Sequence, residues 1–452
     1  MKKKILLSAL AISLVSSLNA ADDLSSMFTE GKTSGQIRAF YIDREYQGGS
    51  GADTHRNSLA LGGHLKFETS DYKGLSFGAA FYTSNDVPVL DYTKDDGADG
   101  KKDPTLVGQG YDSYAMLGEA YLQYTLSNTT FKGGRQTLDT PLAGSDDARM
   151  VKNLFEAYLL VNTDIPNTTL IAGHVDKFAQ GTFGQVYNPA ANAANSLLSV
   201  TSGYSAVDTK NQTGEFINMG KYSVGKSTNG VSVVSATYKK DGLKIQAWDY
   251  YAHDILNAIY ADISYNMKMD AFAPYIAAQI ISESDIGDKI AGDVNGLYWA
   301  AKAGAKFSGF NTYVAYSQTS SNDAGDAATK NAIITPWGGM PAYTQGMVTR
   351  HMFLAGTNAY KLVGSYSFKD MGTNLSMTAY YASFDMDANS GYGISRTATE
   401  PGFDIKYSPE AVKNLQLRFR GNFPRNFAEG SSGKDTGWNE YRLIANYNFS
   451  TK

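Results

Sequence analysis

Apolar and polar side chains alternate with period two through most of the chain beyond residue 33, the mark of strands with two unlike faces. In 297–307, Leu297, Trp299, Ala301, Ala303, Ala305 and Phe307 share one face, and Tyr298, Ala300, Lys302, Gly304 and Lys306 share the other. Trp299 and Phe307 bracket the apolar row, separated by roughly 26 Å of strand at ~3.3 Å per residue. In 59–68, Leu59, Leu61, Gly63, Leu65 and Phe67 oppose His64, Lys66 and Glu68. In 415–422, Leu415, Leu417, Phe419 and Gly421 oppose Gln416, Arg418, Arg420 and Asn422; in 441–449, Tyr441, Leu443, Ala445, Tyr447 and Phe449 oppose Arg442, Asn446 and Asn448. Segments of about ten residues suit a tilted strand crossing a bilayer, and aromatics at both ends of an apolar row suit its two interfaces.

The junctions between these segments are sorted by parity. One set is minimal: Asp71-Tyr72-Lys73-Gly74, Ser127-Asn128, Ile165-Pro166-Asn167, Lys240-Asp241-Gly242, Ser308-Gly309 and Asp370-Met371-Gly372. The intervening junctions are mostly long and polar, including 87–112, 178–230 and 320–358. A soluble sandwich has no reason to sort its loops in this way. A transmembrane antiparallel β-barrel does, with short periplasmic turns on one rim and long extracellular loops on the other.

The pattern predicts about eighteen strands, near 34–46, 57–69, 74–86, 113–127, 129–137, 153–164, 167–177, 231–241, 243–254, 257–268, 271–285, 294–308, 310–320, 359–370, 373–386, 398–408, 413–423 and 438–449. The segments at 129–137 and 257–268 are the weakest, so sixteen strands is the other even count. Either number leaves an aqueous channel through the barrel.

Residues 1–20 read as a signal peptide: Met1-Lys2-Lys3-Lys4 is basic, Ile5 to Leu18 is apolar, and Leu18-Asn19-Ala20 suits cleavage. Residues 21–452 then form a single barrel domain, since no composition shift or linker divides them. Three of the 40 basic residues lie in the leader, leaving 37 against 44 acidic ones, which argues against a nucleic-acid partner. With no cysteine, disulfide and thiol chemistry are excluded.

The segment 131–160 contains Gly134-Arg135-Gln136, then Pro141 and Asp147-Ala148-Arg149, and resembles the OprD-type outer-membrane porins of Gram-negative bacteria. Ile334-Thr335-Pro336-Trp337-Gly338-Gly339 with Pro341-Ala342 resembles a seventh-loop motif of the same family. The resemblance runs along essentially the whole mature chain. It implies an eighteen-stranded barrel in the outer membrane, often a homotrimer, with pore-constricting loops here near 138–152 and 320–358. It further implies passive diffusion of small hydrophilic solutes and ions, with carboxylates or amino acids favoured in several members; no catalytic constellation assembles in the sequence, so no enzymatic activity is expected. Where such barrels end on an aromatic residue, this chain continues past Phe449 with Ser450-Thr451-Lys452.

Candidate selectivity residues follow from the faces. Arg418 and Arg420 share the lumen face of the penultimate strand and Arg442 that of the last; closure brings in Arg38 and Arg44 from the first. The third outer loop offers Asp139, Asp146, Asp147 and Arg149. Arginines facing carboxylates across an opening would set up a transverse field that orients dipolar solutes. The plainer reading is that the arginines pair with wall acids such as Glu119, Glu400 or Glu440 and brace the barrel.

Other signals are discounted. Gly220-Lys221-Tyr222-Ser223-Val224-Gly225-Lys226-Ser227 matches a phosphate-binding loop in letters but lacks the strand before it and the helix after it. Asp95-Asp96-Gly97-Ala98-Asp99-Gly100 resembles half a calcium loop without the twelfth-position glutamate, so no cofactor beyond a weak loop calcium is expected. The five histidines show no metal-ligand spacing, and His253-Asp254 lies in a short outer loop without a candidate nucleophile. The rival readings are a surface adhesin using the long outer loops and a barrel hydrolase.

Overall fold

The computed structural model describes residues 21–47, 55–88, 102–103, 105–108, 112–182, 214–267, 269, 271–391, 395–429 and 435–451. The expected signal peptide and the acidic segment at 95–100 lie outside them. Eighteen antiparallel strands close into a barrel, and two further two-residue ladders, Ile217–Asn218 and Ala428–Glu429, lie in its loops. The two weakly patterned segments are both strands, Thr129–Gln136 and Leu256–Asn266, so the larger count holds.

Each strand pairs with its sequence neighbours, and the first (Lys32–Gln47) pairs with the last (Asp435–Ser450) from Ser34↔Ser450 to Gln47↔Gly437. That seam removes the open edges, so every ladder hydrogen bond in the hydrocarbon zone is satisfied inside the sheet. Ser450 and Thr451 extend the seam: Ser450 pairs with Ser34, and Thr451 donates its N–H to the Thr33 carbonyl at 2.8 Å.

Among the minimal junctions, Asp241-Gly242 and Ser308-Gly309 are true two-residue hairpin turns, whereas Asp370-Met371-Gly372 lies in a longer connection that opens with the 3-10 turn Phe368–Met371. Asp241 and Gly242 have φ of 48° and 89°, and Ser308 and Gly309 have 43° and 82°. Two successive positive φ values define the type I′ turn whose twist matches the strands it joins, and glycine reaches the second of them without strain. The opposite rim carries most of the long connections, with short ones between Leu243–Ala252 and Leu256–Asn266 and between Lys32–Gln47 and His55–Glu68.

The face assignments hold. In Leu297–Phe307, Trp299 and Phe307 are 41% and 38% exposed on the outer surface, while Tyr298 is fully buried inside. Each belongs to a ring of aromatics: Trp299 contacts Tyr316, which contacts Tyr360, and Phe307 contacts Phe310, which contacts Tyr366. These are the two interfacial girdles, with the apolar row between them facing lipid. The buried core lies inside the barrel, where Leu138, Leu142, Tyr222, Trp337 and Phe353 of the inward-folded loops pack against inward side chains such as Trp248 and Tyr298.

The letters of the phosphate-loop match do not carry its structure. A six-residue helix, Met219–Val224, precedes Gly225-Lys226-Ser227 instead of following it, and the cap at its start is filled by the Asn218 side chain.

Candidate functional site: the lumenal constriction

Loops 3 and 7 fold into the barrel and meet there. The Gly144 N–H donates to the Trp337 carbonyl at 3.0 Å, and Ala143 bridges Trp337 and Gly338. A side chain at Gly339 would sit 2.3 Å from the Leu142 backbone, so only glycine lets the two loops approach this closely. The Trp337 indole N–H reaches the Met219 carbonyl at 3.2 Å, joining a third loop to the same plate.

Wall carboxylates pin loop 7. Glu283, fully buried, accepts the Ile334 N–H at 2.7 Å. Glu400 accepts the N–H groups of Met347 at 2.5 Å and Thr349 at 2.7 Å and the Tyr380 hydroxyl. Loop 3 is held by arginines. Arg38 clamps Asp147 with two bonds at 2.7 and 2.8 Å and also donates to Asn446 at 2.8 Å. Burial pushes the Asp147 carboxyl up, but the bonds and charge of Arg38, with Lys152 and His64 nearby, more than reverse this and hold it below the usual aspartate range.

The predicted arc of arginines exists, but it is largely occupied. Glu440 on the last strand gathers three guanidinium groups: Arg149 at 2.9 Å, Arg442 at 2.9 Å and Arg44 at 3.0 Å, with Asp103 a further 2.9 Å partner of Arg44. Arg418 forms a bidentate pair with Asp404, whereas Arg420 stands 3.9 Å from the same carboxylate. Asp146 pairs with Arg350 of loop 7 at 3.0 Å, not with the wall. Asp139 lines a neighbouring small space together with Arg350, and burial pushes its carboxyl up against the opposing pull of Lys152. Asp146 and Asp147 are thus in contact with Arg350 and Arg38 rather than facing arginines across a gap. Of the proposed bracing acids, Glu440 fits that role, Glu119 pairs with Lys66 at 3.0 Å, and Glu400 serves the loop.

Open space adjoins this braced wall inside the barrel. A space of about 520 Å³ is lined by Asp146, Asp147 and Asp404 and by Lys302, Arg350, Lys361, Arg418, Arg420 and Arg442, three acidic residues against six basic ones. A neighbouring space of about 390 Å³ shares Lys302 and Tyr343 and is lined further by Asp139, Lys244, Trp248, Tyr260 and Asp262. The Lys302 ammonium sits 4.1 Å from the Tyr343 ring centre, at the junction of the two. Lys244, Lys302, Lys361, Arg350 and Tyr343 were absent from the sequence-derived set. Strand alternation already puts the three lysines on inward faces, whereas nothing local marks Arg350 or Tyr343.

A closed eighteen-stranded barrel narrowed by its third and seventh outer loops agrees with the comparison by sequence family, in which residues 26–451 match the outer membrane porin, OprD family. The chain belongs to the OprD family. A search of curated proteins finds no match. Among solved structures, Pseudomonas aeruginosa OpdK with vanillate has 14% identity and a TM-score of 0.72, and P. aeruginosa OccK9 (OpdG) has 19% and 0.73. A BenF-like porin from Pseudomonas fluorescens Pf-5 has 16% and 0.73. In each case 94% of this chain covers 100% of the other, so the likeness is one of whole folds. As an OprD-family porin the protein resides in the bacterial outer membrane and forms a channel for small solutes.

Proposed function

We propose that this OprD-family channel favours small carboxylate-bearing solutes. The observation that carries the reading is the imbalance around the 520 Å³ passage, where six basic side chains face three acidic ones. Asp147 and Asp146 are committed to Arg38 and Arg350, and Asp404 to Arg418, so Arg420, Lys302 and Lys361 supply the field a passing anion meets. Tyr343, Trp248 and Tyr260 offer the adjoining surface for the rest of the solute. Two structural relatives hold carboxylates, OpdK vanillate and OccK2 (OpdF) glucuronate, the solute class a basic lining attracts.

Conduction in this reading needs one chain, because the passage is enclosed by a single barrel. The homotrimer implied by the family resemblance is a separate part of the proposal, tested by native mass spectrometry from detergent micelles.

The decisive test is a planar-bilayer recording across a salt gradient. The expected reversal potential reports anion preference, and the double substitution Lys302→Glu with Arg420→Glu moves it toward cations. Benzoate and glucuronate are expected to shorten open times in the native channel and not in the double variant. A cation-selective native channel would sink the proposal.

A further inference from the structure

Two of the five histidines, 79 positions apart in sequence, meet on the outside of the barrel. His174 belongs to the strand Thr168–Ala179, Ser232 to Val231–Lys240, and His253 follows Leu243–Ala252 directly. Register places His174 opposite Ser232, and Ser232 opposite Tyr251. Tyr251 and Val234 on this face are exposed toward the membrane side, which puts the trio outside the barrel at its extracellular end. The Ser232 hydroxyl lies 3.0 Å from His253 Nε2 and 3.3 Å from His174 Nδ1, and the ring centres are 6.1 Å apart.

We propose that His174 and His253 form an exterior site for a divalent transition ion, with the Ser232 oxygen beside it. Among the described residues no three histidine or acidic ligands gather, so this is a two-imidazole site whose remaining positions are open to water. Nitrogen ligands select zinc, copper or nickel over magnesium and calcium, which demand oxygen. Both imidazoles bind through lone pairs, leaving their protons on the far nitrogens, Nε2 of His174 and Nδ1 of His253. Gly230 makes room for this arrangement: it takes φ of 74°, and a side chain there would come within 2.9 Å of His174 Nε2. Its carbonyl accepts the His253 backbone N–H at 3.1 Å, fixing the start of the short loop. An ion held between the two rings would tie three neighbouring strands together, away from the pore.

Calorimetric titration of the folded, untagged protein in micelles with zinc chloride tests this, paired with electron paramagnetic resonance after copper loading. The expected result is one equivalent of zinc per barrel and nitrogen hyperfine structure in the copper spectrum. His174→Ala and His253→Ala should each weaken binding by about tenfold or more, as even outer-sphere changes cost about 10–100-fold. His55→Ala, a histidine elsewhere on the rim, should leave the titration unchanged. Heat-modifiable gel mobility verifies that each variant is folded. Failure of the native protein to bind, or binding unaffected by both alanine variants, would overturn the assignment. So would ester hydrolysis abolished by Ser232→Ala, which would make the hydroxyl a nucleophile instead.

Discussion

Arg38 and Asp147 form a two-pronged clamp, 109 residues apart in sequence, that fastens the third loop to the first strand at 2.7 and 2.8 Å. The arginine is buried and the aspartate half-exposed to the lumen. Asp147→Asn should therefore cost about 1–2 kcal/mol, below the figure for a fully buried pair. The expected electrical signature is larger and noisier single-channel conductance as the loop loosens.

The same clamp predicts an acid response. The Asp147 carboxyl is held below its ordinary range, so its contribution is fully present above about pH 3.9 and is lost as pH falls through the lower folded value. Loop noise should rise only in that strongly acidic window. Recordings that are equally quiet at pH 7 and pH 2.5 would contradict it.

His351 sets a milder threshold. It is buried in loop 7 with its Nε2 3.0 Å from the Phe427 carbonyl and its ring against Phe427. Burial pushes the imidazole down to about 4, so the folded loop keeps it neutral. Between about pH 6.5 and 4 the unfolded loop binds the extra proton, and stability falls by up to ~1.4 kcal/mol per pH unit. Protection factors of loop 7 amides, the ratio of intrinsic to observed exchange rates, should fall as pH drops across this window in the native protein. His351→Phe should flatten the profile.

Gly339→Ala should part loops 3 and 7. The added methyl group meets Leu142 backbone atoms that cannot rotate away, so a cost of about 1–3 kcal/mol is expected. Single-channel conductance should increase while the folded barrel still migrates as a compact band.

Glu400→Ala removes an acceptor shared by the Met347 and Thr349 amides, of which the Thr349 donor is buried and the Met347 donor half-buried. The expected penalty is about 2–4 kcal/mol, measured by urea unfolding in micelles. Glu400→Gln should recover part of it, because the amide oxygen still accepts.

Strand positions and faces were legible because lipid imposes a two-residue rule on every crossing, and Trp299 and Phe307 announce both interfaces. Loop parity then numbered the loops correctly. Pairings were not legible. Nothing near Glu440 says that Arg44, Arg149 and Arg442 converge on it, since one of them arrives from an inward-folded loop 291 residues earlier. The lysines at 302 and 361 were visible on inward faces, yet their weight emerges only when the arginines are seen to be already paired. His174 and His253 escaped because ligand-spacing rules describe helices and knuckles, whereas adjacent strands join residues at arbitrary separations.

The seam between the first and last strands has a consequence for biogenesis. Thr33 meets Thr451 across 418 positions, so the cylinder cannot shut until the eighteenth strand has been delivered. A chain truncated before its final strand would present two long raw edges to neighbouring chains. Such a fragment has no half-sized working form, because both edges stay unpaired until the closing strand arrives.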